Sequence, residues 1–214
     1  MSDRRRLLLS LLSEEKYREV LFNYVFYNII PNSTFDLNSL LPSEYQEVEY
    51  IESSGTQWID TDFEIISGNT NCVVELKFVR TSTYLNPPSY NSVFGINSSL
   101  QCAYYQNGNF SDGVNTTTTV INENTPYIYK GDYNTGKSYI NGIEVAQRNT
   151  NVTNTPYLFA SNGAGTSVYQ SASRIYYCKI LENNVLVRYF VPCYRKSDNV
   201  IGLYDLVNGV FYTN

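Results

Sequence analysis

Glu47, Glu49 and Glu52 come nearest in this chain to a pair of catalytic carboxylates. A retaining glycosidase needs two carboxyls about 5 Å apart in a cleft, one with a raised pKa. Alternation along an exposed strand puts such residues on a solvated edge instead. The sequence has no histidine, which removes the usual general base of serine and cysteine hydrolases and the usual mixed Cys/His zinc site. Gly163-Ala164-Gly165 opens no helix and so makes no phosphate cradle. Cys72, Cys102, Cys178 and Cys193 form no CxxC pair and stand among apolar neighbours. Buried, reduced thiols are expected. Asp60, Asp62, Asp112 and Asp132 lack the spacing of a calcium loop, so no metal or other cofactor is expected, though calcium stays open. These residues describe a protein that is not an enzyme.

Binding chemistry is better represented. Saccharide sites combine aromatic faces with amide or carboxylate side chains on loops at one end of a scaffold. Tyr84, Asn86 and Tyr90, in a loop with Pro87-Pro88, have that chemistry, and so do Tyr104, Tyr105 and Asn107. The single tryptophan, Trp58, is expected to pack rather than bind, because Trp is highly buried on average.

The elements that must position these residues are strands. Charged residues make up only 16%, while Tyr numbers 21 and Phe 10, a balance that favours β structure. Residues 72–79, 92–96, 101–105, 127–130, 138–140 and 157–160 read as short strands with turns such as Asn107-Gly108 and Asn141-Gly142 between them. In the closing block, Ile175, Tyr177 and Lys179 alternate against Tyr176, Cys178 and Ile180. Asn183-Asn184 is read as a turn, Val185–Val191 as the returning strand closed by Pro192, and Asn208-Gly209 as a type I′ hairpin turn. The reading is a mainly β, two-sheet antiparallel sandwich with a short N-terminal helical extension.

Residues 1–41 differ in pattern. Ser13 is a candidate N-cap followed by Glu14 and Glu15. Tyr17, Val20, Leu21, Tyr24 and Val25 fall on one helical stripe, with Phe22, Phe26 and Ile29 beside it. Pro31 ends the helix. Two apolar faces need cover, and the reading makes this segment an anchor for self-association, a trimer being favoured, or for docking on another protein. Arg4-Arg5-Arg6 and the short apolar run after it are broken at Ser13-Glu14-Glu15-Lys16, so no signal peptide is expected. No stretch approaches the ~20 apolar residues of a membrane span. A net charge of −5 argues against nucleic acid and suits a neutral polysaccharide or a protein.

The wording of LPSEYQEVEYIESSGTQWIDTDF (residues 41–63) and of residues 173–214 resembles the LamG-like, concanavalin A-like jelly-roll modules of bacteriophage and prophage structural proteins. The resemblance covers residues 42–214 and implies two units, a helical anchor and linker (1–41) and a jelly-roll module (42–214). It implies a phage virion structural protein, made in the host cytoplasm, on head or tail. Its helix would meet other virion proteins and its module would adhere weakly to host surface polysaccharide. The alternatives are a stand-alone bacterial carbohydrate-binding lectin or adhesin, and a purely structural decoration. Light scattering on the 214-residue chain and on residues 42–214 separates these arrangements. A defined oligomer beside a monomeric fragment is expected; two monomers would mean that the helix packs on its own sandwich.

Overall fold

The computed structural model describes residues 41–66, 71–82, 90–97, 99, 101–105, 107–113, 115–147 and 153–214. The chain begins with β1 (Tyr45–Glu47), β2 (Ile51–Ser54), β3 (Ile59–Asp60), β4 (Cys72–Arg80), β5 (Tyr90–Gly95) and β6 (Gln101–Tyr105). There follow β7 (Asn109–Ser111), β8 (Thr116–Val120), β9 (Pro126–Asp132), β10 (Lys137–Ile140), β11 (Ile143–Gln147) and β12 (Tyr157–Leu158). It closes with β13 (Ser161–Gly163), β14 (Thr166–Val168), β15 (Ala172–Glu182), β16 (Val185–Arg195), β17 (Val200–Asp205) and β18 (Val210–Tyr212). No helix occurs among the described residues, and the predicted N-terminal helix, Tyr17 to Ile29, lies outside them.

Two sheets face each other. The larger has the order β11-β10-β9-β4-β15-β16-β17-β18, with β2 added to β15 and β1 to β16. The smaller runs β3-β12-β5-β6-β7-β8. Val74, Leu76, Phe78, Ile175, Cys178 and Phe190 of the large sheet share one buried cluster with Phe94, Tyr104 and Phe110 of the small one. Alternation along each strand, apolar in and polar out, fills that cluster. The mainly β, two-sheet antiparallel reading therefore holds.

The opening block fills a fork. β15 pairs with β16 from Cys178 to Glu182, but Ala172–Ile175 pairs with β2 instead. β16 in turn gives Cys193–Arg195 to β1. Pro192 does not close β16, as the sequence led us to expect; it sits inside the strand, opposite Leu203. Its carbonyl accepts from the Val48 N–H at 3.1 Å. The nitrogen that cannot donate points to the same side, into the fork, where β15 has already left.

A bulge corrects the expected alternation in β15. Register shifts between Ile175 and Tyr177, so Ile175, Cys178 and Ile180 are core residues while Tyr176 and Tyr177 both stay half-exposed. One extra residue reverses the phase of everything beyond it. Asn183-Asn184 (φ 51° and 61°) and Asn141-Gly142 (φ 51° and 80°) are left-handed pairs, as type I′ turns require. Asn208-Gly209 is only half of its turn: Leu206–Gly209 connects β17 to β18, and Asp205 caps it through the Val207 N–H.

All four cysteines are free and buried. Burial pushes the Cys72 and Cys193 thiols up from 9.0 to about 12. Unfolded thiols ionise at the lower value, so this stabilisation is complete below about pH 9 and is lost as pH rises toward 12. Urea midpoints are expected to fall progressively above pH 9, with four thiols reacting with a disulfide reagent only after denaturation. Rapid reaction at pH 8 in the folded state would contradict the burial.

Candidate functional site

Trp58 and Asp60 are two residues apart and point outward from the edge of the small sheet, while Ile59 between them is buried in the core. Tyr157 pairs directly with Asp60 across β12. The Trp58 ring stacks on the Tyr157 ring, centroids 4.4 Å apart and planes 25° apart. Tyr157 is buried and Trp58 only half so. The indole is thus backed by one ring and partly open to water. The expected packing role is met in part: Trp58 stacks on Tyr157 and is half-buried, with the rest of the ring open to water.

The segment carrying the indole is fixed from below. Thr61 donates through Oγ1 to the Pro156 carbonyl at 2.8 Å. The Asp62 N–H donates to Asp60 Oδ1 at 2.9 Å, holding Asp62 at a φ of 48°. Arg188 reaches across from β16, donating from Nη2 to the Asp62 carbonyl at 2.6 Å and from Nε to the Thr61 carbonyl at 3.4 Å. Its guanidinium also lies over the Phe63 ring, 5.5 Å from the centroid. Arg188 is held by Asp205, 3.6 Å away, whose carboxylate is fully buried. Asp205 also accepts from the Tyr189 and Val207 N–H groups, both at 3.0 Å. On the other flank, the Trp58 N–H donates to Asn214 Oδ1 at 2.7 Å.

Charge collects around this platform. Burial raises the Tyr157 hydroxyl pKa, and Asp60 raises it further. Tyr212 is raised by burial too, while Arg188 lowers it and Asp205, Asp62 and Asp60 add to the rise. Asp60 and Asp62 are exposed. No group of three or more ligand side chains comes together for a metal among the described residues. Asp112 and Asp132 lie elsewhere, the first accepting from Asn115 and the second from the Asn134 and Thr135 N–H groups. Glu52 is paired with Arg174 at 2.7 Å, and Glu47 and Glu49 are exposed.

Of the predicted tyrosine–asparagine site, the side chains of Tyr104, Tyr105 and Asn107 are among the described residues. Tyr104 is a core residue that donates to the Ala172 carbonyl at 3.2 Å beneath Arg80, because β6 turns it inward. Tyr105 is half-buried at the end of β6, and Asn107 spends Oδ1 on the Asn109 N–H. Tyr84, Asn86 and the side chain of Tyr90 lie outside the described residues. Sequence reading missed Arg188 and Asp205 altogether. Their only signal was two opposite charges in otherwise apolar strands.

No protein-family model matches the chain, and no curated protein does either. Solved structures give distant likenesses. Trypanosoma rangeli sialidase in complex with the inhibitor DANA is 12% identical with a TM-score of 0.44, over 64% of this chain and 27% of that one. The Ruminococcus gnavus IT-sialidase CBM40 bound to alpha2,3 sialyllactose is 14% identical with a TM-score of 0.40, over 67% of this chain and 91% of that one. The chain thus spans about a quarter of the length of the sialidases it matches. Likeness at this level leaves function to be argued from the chain's own residues.

Asp205 is the positioning residue that can be tested directly. Replacing it by alanine removes the carboxylate beside Arg188 and leaves the buried Val207 N–H and the part-buried Tyr189 N–H without their acceptor, a loss expected to cost about 2–4 kcal/mol. Urea unfolding followed by the single tryptophan reads this; a cost below about 1 kcal/mol would mean that Arg188 is held without it.

Proposed function

We propose that residues 42–214 form a carbohydrate-binding module of the concanavalin A-like jelly-roll type, which takes a neutral saccharide on Trp58. The observation that supports this most directly is the half-open indole stacked on buried Tyr157, with exposed Asp60 on the same face. A pyranose presents C–H bonds on one face and hydroxyls around its rim. The indole suits the first, and the carboxylates of Asp60 and Asp62 accept from the second. Two carboxylates, with no free cation beside the ring among the described residues, disfavour an anionic sugar there. The clamp from Arg188 lowers the ordering cost of binding, since the segment is already fixed.

The module binds and does not cleave in this reading. Glu52 is held by Arg174, and Glu49 is exposed to solvent rather than set in a cleft beside a second carboxylate. The setting we propose is the one implied by the resemblance of residues 41–63 and 173–214, a phage particle on which residues 1–41 join other virion proteins. Leu41 is buried with Val191, Cys193 and Tyr204 on the outer side of the large sheet, which gives that segment a fixed point of departure. A bacterial lectin is the competing setting, and detection on uninfected cells would favour it.

A panel of neutral oligosaccharides, screened by Trp58 fluorescence and confirmed by calorimetry, tests the site. Dissociation constants above roughly 0.1 mM are expected. Trp58→Ala is expected to weaken binding at least about tenfold, equivalent to ~1.4 kcal/mol, and Asp60→Asn several-fold less. Unchanged calorimetric affinity in Trp58→Ala, or silence across the panel, would defeat the proposal.

A further inference from the structure

The outward side of the large sheet carries a row of side chains in direct register across six strands. Glu144 faces Tyr139, Tyr139 faces Lys130, Lys130 faces Glu75, Glu75 faces Lys179, and Lys179 faces Tyr189. Five gaps of about 4.8 Å give the row a length of ~24 Å. Beside it, Lys77 stands opposite Tyr177, and the β15 bulge adds Tyr176 to the same surface. Farther along, Tyr50 and Tyr176 pack with centroids 5.5 Å apart.

Three of the cations on this face are neutralised where they stand. Lys137 meets Glu144 at 2.8 Å, Arg174 meets Glu52 at 2.7 Å, and Lys179 meets Glu75 at 4.0 Å. Lys77 and Lys130 have no carboxylate within ion-pair distance among the described residues. Each lies instead over a tyrosine ring: Lys77 Nζ is 4.8 Å from the Tyr176 centroid, and Lys130 Nζ is 5.8 Å from that of Tyr139. A ring holds an ammonium in place without cancelling its charge, so it stays available to an anion at a small ordering cost. Lys130 and Lys77 are diagonal neighbours on β9 and β4, with Cβ atoms about 7–8 Å apart.

We infer that this face is a second binding surface, separate from Trp58, for an anionic polysaccharide whose carboxylates meet Lys77 and Lys130. The chemistry favours a uronate polymer over nucleic acid. Phosphate backbones bind through many released counterions and need more than two free cations. Sparse carboxylates on pyranose rings match two ammonium groups set among tyrosine hydroxyls. The surface also lies on the opposite sheet from the indole, so the two sites can be occupied together.

The test uses the 214-residue chain and a polygalacturonate oligomer, with its methyl ester as an uncharged control, followed by calorimetry. Binding of the acid form is expected, weakening as ionic strength rises from about 0.01 to about 0.15 M, where the screening length falls from roughly 30 to 8 Å. The Lys77→Gln/Lys130→Gln variant is expected to lose at least about tenfold in affinity, or ~1.4 kcal/mol, with unchanged melting temperature. Trp58→Ala is expected to bind polygalacturonate as the parent does. Equal binding of the ester, an unaffected double variant, no binding at all, or tighter binding of single-stranded poly-A would each overturn the inference. Loss in Trp58→Ala with none in the lysine variant would assign the polymer to the indole site instead.

Discussion

The large sheet depends on how β15 and β16 part. They stay paired only near their hairpin, and beyond it each strand turns an edge of backbone donors and acceptors toward the other with nothing between. Leaving such groups unmatched in a covered position costs about 1–3 kcal/mol each. The opening block resolves this by entering the gap, β2 against β15 and β1 against β16. The Trp58 segment follows from that insertion. The block lays Tyr50 and Glu52 on the outer side of the large sheet, then crosses to the small sheet and delivers Trp58 and Asp60. One short stretch of chain therefore contributes to both sheets.

What could be read from the sequence is what depends on local chemistry. Asn183-Asn184 and Asn141-Gly142 mark their turns because few other residues tolerate positive φ. The two-sheet layout follows from strand rhythm and composition. Phase within a strand is different, since period-2 alternation carries no record of an inserted residue. Hence Tyr177 and Cys178 appear on the wrong faces until the bulge at Tyr176 is seen. Pro192 misleads for a related reason: the missing donor matters only if a neighbour wants it, and at the fork no β15 acceptor is present.

The site was harder to find because its parts are distant in sequence. Arg188 meets the Asp62 carbonyl across 126 positions, and no local pattern encodes such a contact. Tyr104 seemed a binding residue for its type alone, yet inward alternation on β6 buries it. Trp58 was expected to pack, and it does so on Tyr157 while leaving part of its ring open. Its neighbour Asp60 was the better guide, since a strand that presents a carboxylate to water presents the residue two positions away as well. The buried Asp205 with Arg188 fits a general pattern: such pairs add little net stability, but they fix a geometry.

The fork also orders events in time. Glu52 and Arg174, partners in the folded sheet, are 122 residues apart, so β2 has no partner until most of the chain has left the ribosome. Pairings this remote slow folding, because loop closure must precede any reward. During synthesis the opening block is an unpaired, partly apolar strand close to the N-terminal segment. A nascent chain of this design therefore gains from a holding chaperone, or from neighbouring copies kept sparse, until residue 195 emerges and the wedge can seat.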